Sequence, residues 1–256
     1  MSLLRITLNH VYKVIIKKRL IYLFGAKKHK KLYLCSRKSD TDCSMIEYLD
    51  HIDRQLMLML NYDGGAVLDQ FWYWFSAKWT WVPMYVVILA CMVRRDFQTC
   101  RTERTSGKYT WLTLYLLQII CVALVITAAD QIASHLIKPM VCRLRPAQDP
   151  LLMEFIHIVN GDRGYKYGFV SSHASNTWAL TVYLAYIFRN RYVNLYMAVW
   201  ATLTCYSRIY LGVHYPGDIL GGTIVGIASS YLIMQYIYTP ISRRLAILQK
   251  GRIFPL

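Results

Sequence analysis

The chain has 256 residues, of which 55% are hydrophobic and 17% are charged, and its mean hydropathy is +0.27. This composition is too apolar for an ordinary soluble domain. The 30 Lys and Arg residues against 14 Asp and Glu give a net charge of +16, as in proteins that bind nucleic acid or anionic membrane surfaces. A membrane protein explains the apolar composition and the basic charge together, so we favour that class and expect no nucleic-acid partner.

The first 44 residues form a strongly basic segment, in which Asp40 and Asp42 are the acidic residues. Like-charge runs of this kind are often disordered tails. Three interpretations stay open: a dispensable extension, an additional spanning or re-entrant element, and a segment upstream of a true start of translation at Met45. The predicted domains are an N-terminal extension over 1–44, a membrane domain over 45–240 and a basic cytoplasmic tail over 241–256.

Residues 45–76 mix apolar side chains such as Leu56 with the charged residues Asp50, Asp53 and Arg54. Such a mixture predicts one or two amphipathic helices ahead of the first membrane span. Two placements stay open, because these helices can lie on the membrane surface or pack on the helical bundle.

Five apolar stretches follow, and each approaches the roughly 20 residues that a helix needs to cross a bilayer core about 30 Å thick. They cover residues 78–93, 109–137, 173–188, 192–206 and 218–238. Trp and Tyr residues cluster near their ends, as in the aromatic belts of membrane proteins. The predicted fold class is therefore all-α: a polytopic membrane helical bundle of about five spans, with amphipathic surface helices before the first span.

Basic residues in the loops predict the orientation of this bundle. Arg and Lys occur between the first and second stretches, between the third and fourth, and after the fifth, all on one face of a five-span protein. The positive-inside rule makes that face cytoplasmic. The loops over 138–171 and 208–218 then face the extracytoplasmic side of the cytoplasmic (inner) membrane, and they contain most of the chemically active residues.

The first of these loops begins with the sequence KPMVCRLRP, which starts at Lys138. Pro is tolerated at a helix start, and a helix over 139–145 would place Lys138 and Arg145 on one face. Two cations on one face suit a phosphate, with Arg as a bidentate fork and Lys as a point charge. The alternative is a pair of ordinary juxtamembrane residues whose side chains reach the lipid headgroups.

The same loop ends with the sequence FVSSHAS, which leads directly into the third apolar stretch. Ser171 is a suitable N-cap, so the free amides of Ser172 and His173 would form an anion-binding helix N-terminus. His173 titrates near neutrality and is a candidate acid. The alternative is an ordinary capped helix with a hydrogen-bonded histidine.

The loop between the fourth and fifth stretches has the sequence SRIYLGVHYPGD. A turn through Pro216 and Gly217 is predicted to fold the chain back, so that His214 and Asp218 meet. A carboxylate on one imidazole nitrogen fixes the tautomer and leaves the other nitrogen as a nucleophile. The alternative is an interfacial histidine beside a capping aspartate, but these two residues together with Arg208 are costly at a membrane surface without a function.

Together these sequences resemble the signature of the type 2 phosphatidic acid phosphatase (PAP2) family, which consists of KxxxxxxRP, PSGH and SRxxxxxHxxxD. The first motif is complete as KPMVCRLRP and the third as SRIYLGVHYPGD. The second departs from the family, because Val170 replaces Pro and Ser172 replaces Gly. Ser172 keeps the backbone amide that the glycine contributes, while its side chain crowds the pocket or adds a donor. The resemblance covers about residues 45–240 and is similar to the compact bacterial branch of the family.

The resemblance implies a phosphatase that uses neither a metal nor a cofactor. His214 would attack phosphorus and form a phosphohistidine, Asp218 would orient it, and His173 would protonate the leaving oxygen and later activate water. The phosphate would be held by Lys138, Arg145, Ser171, Ser172 and Arg208. Preorganised positive groups of this kind are the main source of catalysis in phosphoryl transfer. None of the seven cysteines forms a Cys-x-x-Cys pair that would indicate a zinc site.

The resemblance also implies a lipid phosphate as the substrate, in contact with membrane lipids. We expect undecaprenyl diphosphate first, with lipid A, phosphatidylglycerol phosphate and phosphatidic acid as alternatives. The loop over 147–169 is predicted to roof the entrance, where Arg163 and Lys166 would bind a second phosphate. A non-catalytic membrane protein that binds anionic lipid is the rival class, and a vanadium haloperoxidase is disfavoured because no feature is specific for vanadate. The sequence predicts no oligomeric state.

Overall fold

The computed structural model describes residues 40–102 and 110–251, and every regular element within these ranges is a helix. The predicted all-α class is therefore confirmed. The predicted extension over 1–44 lies outside the described residues, apart from residues 40–44, which begin the first helix.

The helices of the described ranges are α1 (Asp40–Leu60), α2 (Ala66–Ser76), α3 (Val82–Thr102), α4 (Thr110–Gln131), α5 (Ser172–Phe188), α6 (Arg191–Tyr210), α7 (Pro216–Ile233) and α8 (Thr239–Gly251). Two helices continue through π-helical turns: α4 through Ile132–Ile137 into Lys138–Val141, and α7 through Met234–Tyr238 into α8. The five apolar stretches of the sequence coincide with α3 to α7. Long apolar runs favour helices, since a helix satisfies its backbone groups internally.

The two amphipathic helices predicted over 45–76 are α1 and α2. Helix α1 buries Met57 and Leu58, whereas Met45 and Ile46 stay exposed. It packs against α6 and α7, and α2 packs against α6. The end of α1 therefore lies on the bundle, whereas its start presents exposed apolar side chains that suit a membrane surface.

Within the described residues, two helical stretches are long and apolar enough to cross a membrane, Trp111–Val141 and Pro216–Ile247. Helices α2 and α3 add a third if they are taken together as one broken span, in which they meet at an angle of 66°. Helix α5 has 17 residues, which is short for a crossing, and it begins with polar residues. The number of five spans therefore stays a prediction.

Helix α5 lies at the centre of the bundle and packs against α4, α6 and α7. Its residues Ala179, Tyr183 and Leu184 are completely buried. The core around them also includes Met92, Cys121, Val125, Trp200 and Met234. Because neighbouring helices hold α5 along its length, its N-terminus has a fixed place relative to the loops around it.

The backbones of α5 and α7 lie in direct contact. A methyl group on Gly222 would overlap with the Ser171 carbonyl oxygen, and one on Gly226 would overlap with the Ser175 carbonyl oxygen. The two glycines are four residues apart on one face of α7, a spacing of small residues that permits close helix packing in membranes. At the end of this contact the Ser171 amide donates to the Asp218 carbonyl oxygen over 2.9 Å. The start of α5 is thus joined to the first turn of α7.

Asn61 holds the end of α6 and a distant loop against the segment after α1, and it is completely buried. Its Nδ2 donates to the carbonyl oxygens of Tyr210, His157 and Ile209 over 2.7, 3.0 and 3.1 Å. Its Oδ1 accepts from the His157 amide over 2.7 Å. One side chain therefore binds backbone groups from two separate segments in the interior, where such groups need hydrogen-bond partners.

We expect Gly226→Ala to destabilise the protein, because the added methyl group must displace α7 from the Ser175 carbonyl. Overpacking of this kind typically costs about 1–3 kcal/mol. The measurement is the melting temperature of the purified protein in detergent. Ile224→Ala is the control, since Ile224 lies on the same helix and is 67% exposed. Equal melting temperatures for Gly226→Ala and the wild type would contradict the close contact.

Candidate active site

Three segments meet at one end of the bundle: the segment after α4, the start of α5 and the loop between α6 and α7. Lys138 contacts Ser172, the Ser171 amide contacts Asp218, and Asp218 contacts His214. Residues that the sequence places in three separate motifs are therefore neighbours in the fold.

His214 and Asp218 form a buried pair. His214 Nδ1 lies 3.3 Å from Asp218 Oδ2, and the Tyr215 amide donates to the same oxygen over 3.1 Å. His214 is 1% exposed and Asp218 is completely buried. When Nδ1 donates its proton to Asp218, the lone pair of the imidazole lies on Nε2. The pair thus has the arrangement of an oriented imidazole nucleophile.

The turn that precedes this pair differs from the prediction. Pro216 and Gly217 belong to the first turn of α7, where a proline is tolerated because that N–H needs no helical partner. The turn lies instead at Gly212, whose φ of 76° is a left-handed conformation that glycine adopts readily. His214 and Asp218 meet because they are four residues apart across the start of a helix.

Burial lowers the pKa of His214 well below its ordinary value of 6.5, and the charges of Arg145, Arg208 and Lys138 lower it further. A backbone hydrogen bond with Gly168 opposes this change without outweighing it. His214 is therefore neutral near pH 7 and keeps the lone pair that a nucleophile needs.

The segment after α4 does not form the helix predicted over 139–145. The helix ends at Val141, and Cys142 adopts a left-handed conformation with a φ of 51°. Arg145 follows with an extended backbone. The prediction that Lys138 and Arg145 share a helix face is therefore wrong, because a left-handed residue ends the helix between them.

Arg145 is held at the site by backbone oxygen atoms. Its Nε donates to the Tyr167 carbonyl over 3.2 Å, and its Nη1 donates to the Val213 carbonyl over 3.4 Å. An antiparallel bridge between Leu144 and Tyr167 keeps the segment extended. Burial lowers the pKa of Arg145, but an arginine in a protein stays charged at neutral pH.

Lys138 contacts one of the two residues that depart from the PSGH motif. Its Nζ donates to Ser172 Oγ over 2.7 Å, and Ser172 Oγ lies 2.8 Å from Ser134 Oγ. Ser134 lies in the π-helical turn Ile132–Ile137. The Ser172 hydroxyl thus adds a partner for the Lys138 ammonium that a glycine would not provide.

The start of α5 has the predicted cap. Ser171 is extended and its Oγ accepts from the Ala174 amide over 3.4 Å. The backbone amides that follow Ser171 have no helical partners, so this helix N-terminus is suited to bind an anion. His173 is half-buried, and burial together with the positive charge of Arg208 and the neighbouring His214 lowers its pKa well below its ordinary value. The candidate acid thus lies beside the candidate nucleophile, and it needs the negative charge of a bound phosphate to favour its protonated form.

Arg208 gives the strongest indication of a bound anion. Its Nη1 donates to Ser76 Oγ of α2 over 2.6 Å, but its Nε is buried without a hydrogen-bond partner among the described residues. A cavity of about 150 Å³ lies beside it, with Tyr73, Asp162 and Val213 in its lining. Because a buried donor without a partner costs free energy, an anion next to Arg208 is favoured.

Arg143 belongs to this region, although the sequence interpretation does not include it. Its Nη1 lies 3.0 Å from Asp218 Oδ1 and 2.7 Å from Asp53 Oδ2, and its Nη2 lies 2.9 Å from Asp50 Oδ1. Burial opposes its charge, but these carboxylates outweigh burial and raise the pKa of Arg143. The signal available in the sequence is the spacing of Asp50 and Asp53, three residues apart on one face of an amphipathic helix.

One group of described residues has the spacing of metal ligands: Asp63, Asp69 and His157. His157 Nε2 lies 2.8 Å from Asp69 Oδ1, and the Tyr210 hydroxyl donates to the same oxygen over 2.7 Å. Hydrogen bonds within the protein therefore account for the placement of Asp69 and His157 in this group.

Comparisons with known proteins bear on the family of this chain. A family model described as the PAP2 superfamily matches residues 119–242. The chain is also 38% identical to a lipid A 4'-phosphatase of Bacteroides thetaiotaomicron over 184 residues, which are 71% of this chain and 75% of the relative. This chain belongs to the PAP2 superfamily. The matched range contains all the site residues that the sequence predicts for this PAP2 protein.

Two further relatives support the PAP2 assignment. A lipid A 4'-phosphatase of Porphyromonas gingivalis is 34% identical over 196 residues, which are 75% of this chain and 76% of the relative. An undecaprenyl-diphosphatase of Bacillus subtilis is 38% identical over 68 residues, which are 27% of this chain and 34% of the relative. The protein is thus a membrane lipid phosphatase of the PAP2 type, as the sequence predicts.

We expect acid to destabilise this PAP2 enzyme partly through His214. Because burial lowers its pKa in the folded protein, the unfolded chain binds a proton at a higher pH than the folded protein does. The stability that neutral His214 contributes is therefore complete above about pH 6.5 and is lost as the pH falls toward the folded pKa.

The measurement is the melting temperature across about pH 5 to 8. His214→Gln should flatten the pH dependence, whereas Ile224→Ala, which removes no titratable group, should leave it unchanged. If the melting temperature of His214→Gln falls with acid as steeply as that of the wild type, the buried neutral state of His214 is wrong.

Proposed function

We propose that this PAP2 enzyme is a lipid A phosphatase that acts through a phosphohistidine on His214. The observation that carries the proposal is the convergence of Lys138, Arg145 and Arg208 on the buried pair of His214 and Asp218, whose imidazole they act on electrostatically. Cations around a neutral imidazole suit a phosphate ester, because the cations bind the phosphate oxygens while the imidazole attacks phosphorus.

Lipid A is favoured as the substrate because the two relatives that align over about three quarters of their length are both lipid A 4'-phosphatases. The undecaprenyl-diphosphatase aligns over 34% of its length. Undecaprenyl diphosphate, the first expectation from the sequence, therefore has less support than the alternative. By analogy with these relatives we assign the 4'-phosphate of lipid A as the group that is removed.

Burial lowers the pKa of His173 in the free protein, and we propose that the negative charge of the bound phosphate raises it again, so that His173 holds a proton when the substrate is in place. In the first proposed step His214 Nε2 attacks phosphorus, the bond from phosphorus to the lipid oxygen breaks, and His173 gives its proton to that oxygen. Asp218 accepts the hydrogen bond from Nδ1 and stabilises the positive charge of the phosphohistidine. In the second step water attacks phosphorus, His173 accepts a proton from it, and the nitrogen–phosphorus bond breaks to release inorganic phosphate. Both histidines then have their starting protonation.

Three side-chain cations and the amides at the start of α5 are proposed to hold the phosphate oxygens. Lys138, Arg145 and Arg208 are partly or fully removed from water, so their attraction for the charge of the transition state is stronger than it would be in solvent. The groups are also preorganised by the contacts described above. We propose that they supply the positive charge that a metal ion supplies in other phosphatases, and that catalysis proceeds without a metal.

The site is proposed to face the extracytoplasmic side of the inner membrane. Helix α5 begins at the site and ends at the loop to α6, where Arg189 and Arg191 are exposed. The positive-inside rule favours a cytoplasmic place for that loop. The opposite end of α5, with the phosphate-binding groups, then lies at the outer surface of the membrane.

The proposal is tested by phosphate release from lipid A, undecaprenyl diphosphate, phosphatidylglycerol phosphate and phosphatidic acid, with detergent-purified protein and EDTA. We expect lipid A to be the best substrate, and mass spectrometry should show loss of the 4'-phosphate. His214→Ala should lower the rate at least about 1000-fold, because the nucleophile is lost. Arg191→Gln, at the other end of the bundle, should retain the wild-type rate.

Each other outcome changes a defined part of the proposal. A preference for undecaprenyl diphosphate would replace the substrate and keep the mechanism. Loss of activity in EDTA would contradict catalysis without a metal. Folded protein that releases phosphate from none of these lipids would contradict the proposed reaction and favour the binding of anionic lipid without catalysis.

The loop over 147–169 generates a separate prediction about a second phosphate. Arg163 and Lys166 are exposed on this loop, and the Lys166 carbonyl accepts from the Arg145 amide over 3.2 Å. Both cations therefore lie on the loop that contacts a predicted phosphate-binding residue. We propose that they bind the second phosphate of a bisphosphorylated substrate.

We expect Arg163→Ala with Lys166→Ala to lower kcat/KM for bisphosphorylated lipid A about threefold to tenfold more than for the monophosphorylated form, as for exposed ionic contacts. The ratio of the two kcat/KM values is the measurement, and Arg191→Gln again serves as the control. An unchanged ratio would exclude both residues from recognition of the second phosphate.

A further inference from the structure

Arg143 connects the acidic face of α1 to the proposed active site. Its guanidinium lies 2.9 Å from Asp50, 2.7 Å from Asp53 and 3.0 Å from Asp218. Asp218 belongs to α7 and its side chain is completely buried, whereas the Arg143 side chain is 20% exposed. The forked donors of a guanidinium can bind several carboxylates at once, so Arg143 connects a surface helix to a buried carboxylate.

Asp53 also contacts the backbone next to the proposed nucleophile. The Gly217 amide donates to Asp53 Oδ1 over 2.7 Å, and a methyl group on Gly217 would lie 2.6 Å from Asp53 Oδ2. The Arg143 guanidinium carbon lies 4.0 Å from the centre of the Tyr215 ring. Arg143 and Asp53 thus hold the segment that directly follows His214.

Arg54 extends the same network to a second contact with this segment. Its guanidinium lies 2.8 Å from Asp50 and 3.2 Å from Asp149. The Tyr215 hydroxyl donates to Asp149 over 2.8 Å. Tyr215 is therefore held both at its ring, by Arg143, and at its hydroxyl, by Asp149.

We propose that Arg143 is a positioning residue for the PAP2 reaction: anchored by Asp50 and Asp53 of α1, it orients the Asp218 carboxylate toward His214. Arg143 binds Asp218 Oδ1, which leaves Oδ2 for His214 Nδ1 and the Tyr215 amide. Arg143 acts through Asp218 and does not touch the phosphate in this role. The inference rests on the proposed function of His214 as the nucleophile.

Loss of Arg143 has two consequences for His214. The Asp218 carboxylate loses the donor that fixes its rotation, and its negative charge is no longer balanced, which favours a protonated imidazole. A protonated His214 cannot attack phosphorus, so activity should decline at a higher pH than in the wild type. Among the described residues, the other charged or titratable groups that face the pair and Arg143 include Lys138, Arg145, His173 and Arg208 around the pocket, Asp50 and Asp53 on α1, and Tyr215 beside Arg143.

The first test is the pH dependence of kcat and KM for the best lipid phosphate. We expect Arg143→Gln to lower kcat about 10- to 100-fold, as loss of an orienting outer group typically does, with KM changed less than about threefold. The pH at which kcat declines on the acid side should rise by about one unit. Arg143→Lys keeps the positive charge but lacks the forked donors of a guanidinium. It should therefore retain part of the wild-type kcat, and its kcat should decline in acid at nearly the wild-type pH.

Arg191→Gln is the matched control, because it makes the same chemical change at an exposed arginine at the other end of α5 and α6. An Arg143→Gln enzyme with the wild-type kcat and pH profile would overturn the proposal. A lowered kcat that declines in acid at the wild-type pH and is not rescued by Arg143→Lys would also overturn it, since that pattern indicates only a damaged fold.

A second measurement does not depend on catalysis. NMR titration of ¹⁵N-histidine-labelled protein, with His214→Gln to assign the signals, gives the His214 pKa in the wild type and in Arg143→Gln. A higher pKa in the variant supports the proposal, and an equal pKa overturns it. If the wild type releases phosphate from no lipid, the proposed function fails, while this titration still decides whether Arg143 controls His214.

Discussion

The backbone contact between α5 and α7 is the constraint on which the active site depends. Both helices begin at the site, and Gly222 and Gly226 let their backbones approach. The Ser171 amide then donates to the Asp218 carbonyl over 2.9 Å. Because the same contact fixes the proposed anion-binding start of α5 and the carboxylate partner of His214, a shift of either helix would change the distance between the proposed acid and the proposed nucleophile.

The positive charge gathered at the site is unfavourable for the fold alone. Lys138, Arg145 and Arg208 lie close enough to act together with burial on His214, and desolvated like charges cost free energy. Arg208 also keeps a buried Nε without a partner in the described part of the chain. A bound phosphate removes both costs, which is a physical reason for this arrangement in a PAP2 enzyme. The Ser172 hydroxyl relieves part of the same cost, since it gives Lys138 a neutral partner.

Sequence predicts the helices of this protein because each long apolar run is a local pattern, and it predicts the site because the three motifs lie at helix ends. It fails over 139–145, where the left-handed Cys142 and the pairing of Leu144 with Tyr167 depend on a loop distant in the chain. It misses Arg143 for the same reason, since the acidic partners of that residue lie on a helix far earlier in the sequence. The spacing of those acidic partners marks an acidic helix face, but local periodicity does not show which distant cation that face binds.

Helix α1 has an importance for the chemistry that its amphipathic sequence does not indicate. Asp50 is 36% exposed on its side chain, and an ion pair with such a group contributes little stability. Asp218 is completely buried, and a buried charge that loses its partner is strongly destabilising. The weak contacts of α1 therefore matter through Arg143, because they hold the counter-charge of the buried carboxylate in place. This gives a physical reason to include α1 in the proposed catalytic domain, which the sequence predicts over residues 45–240.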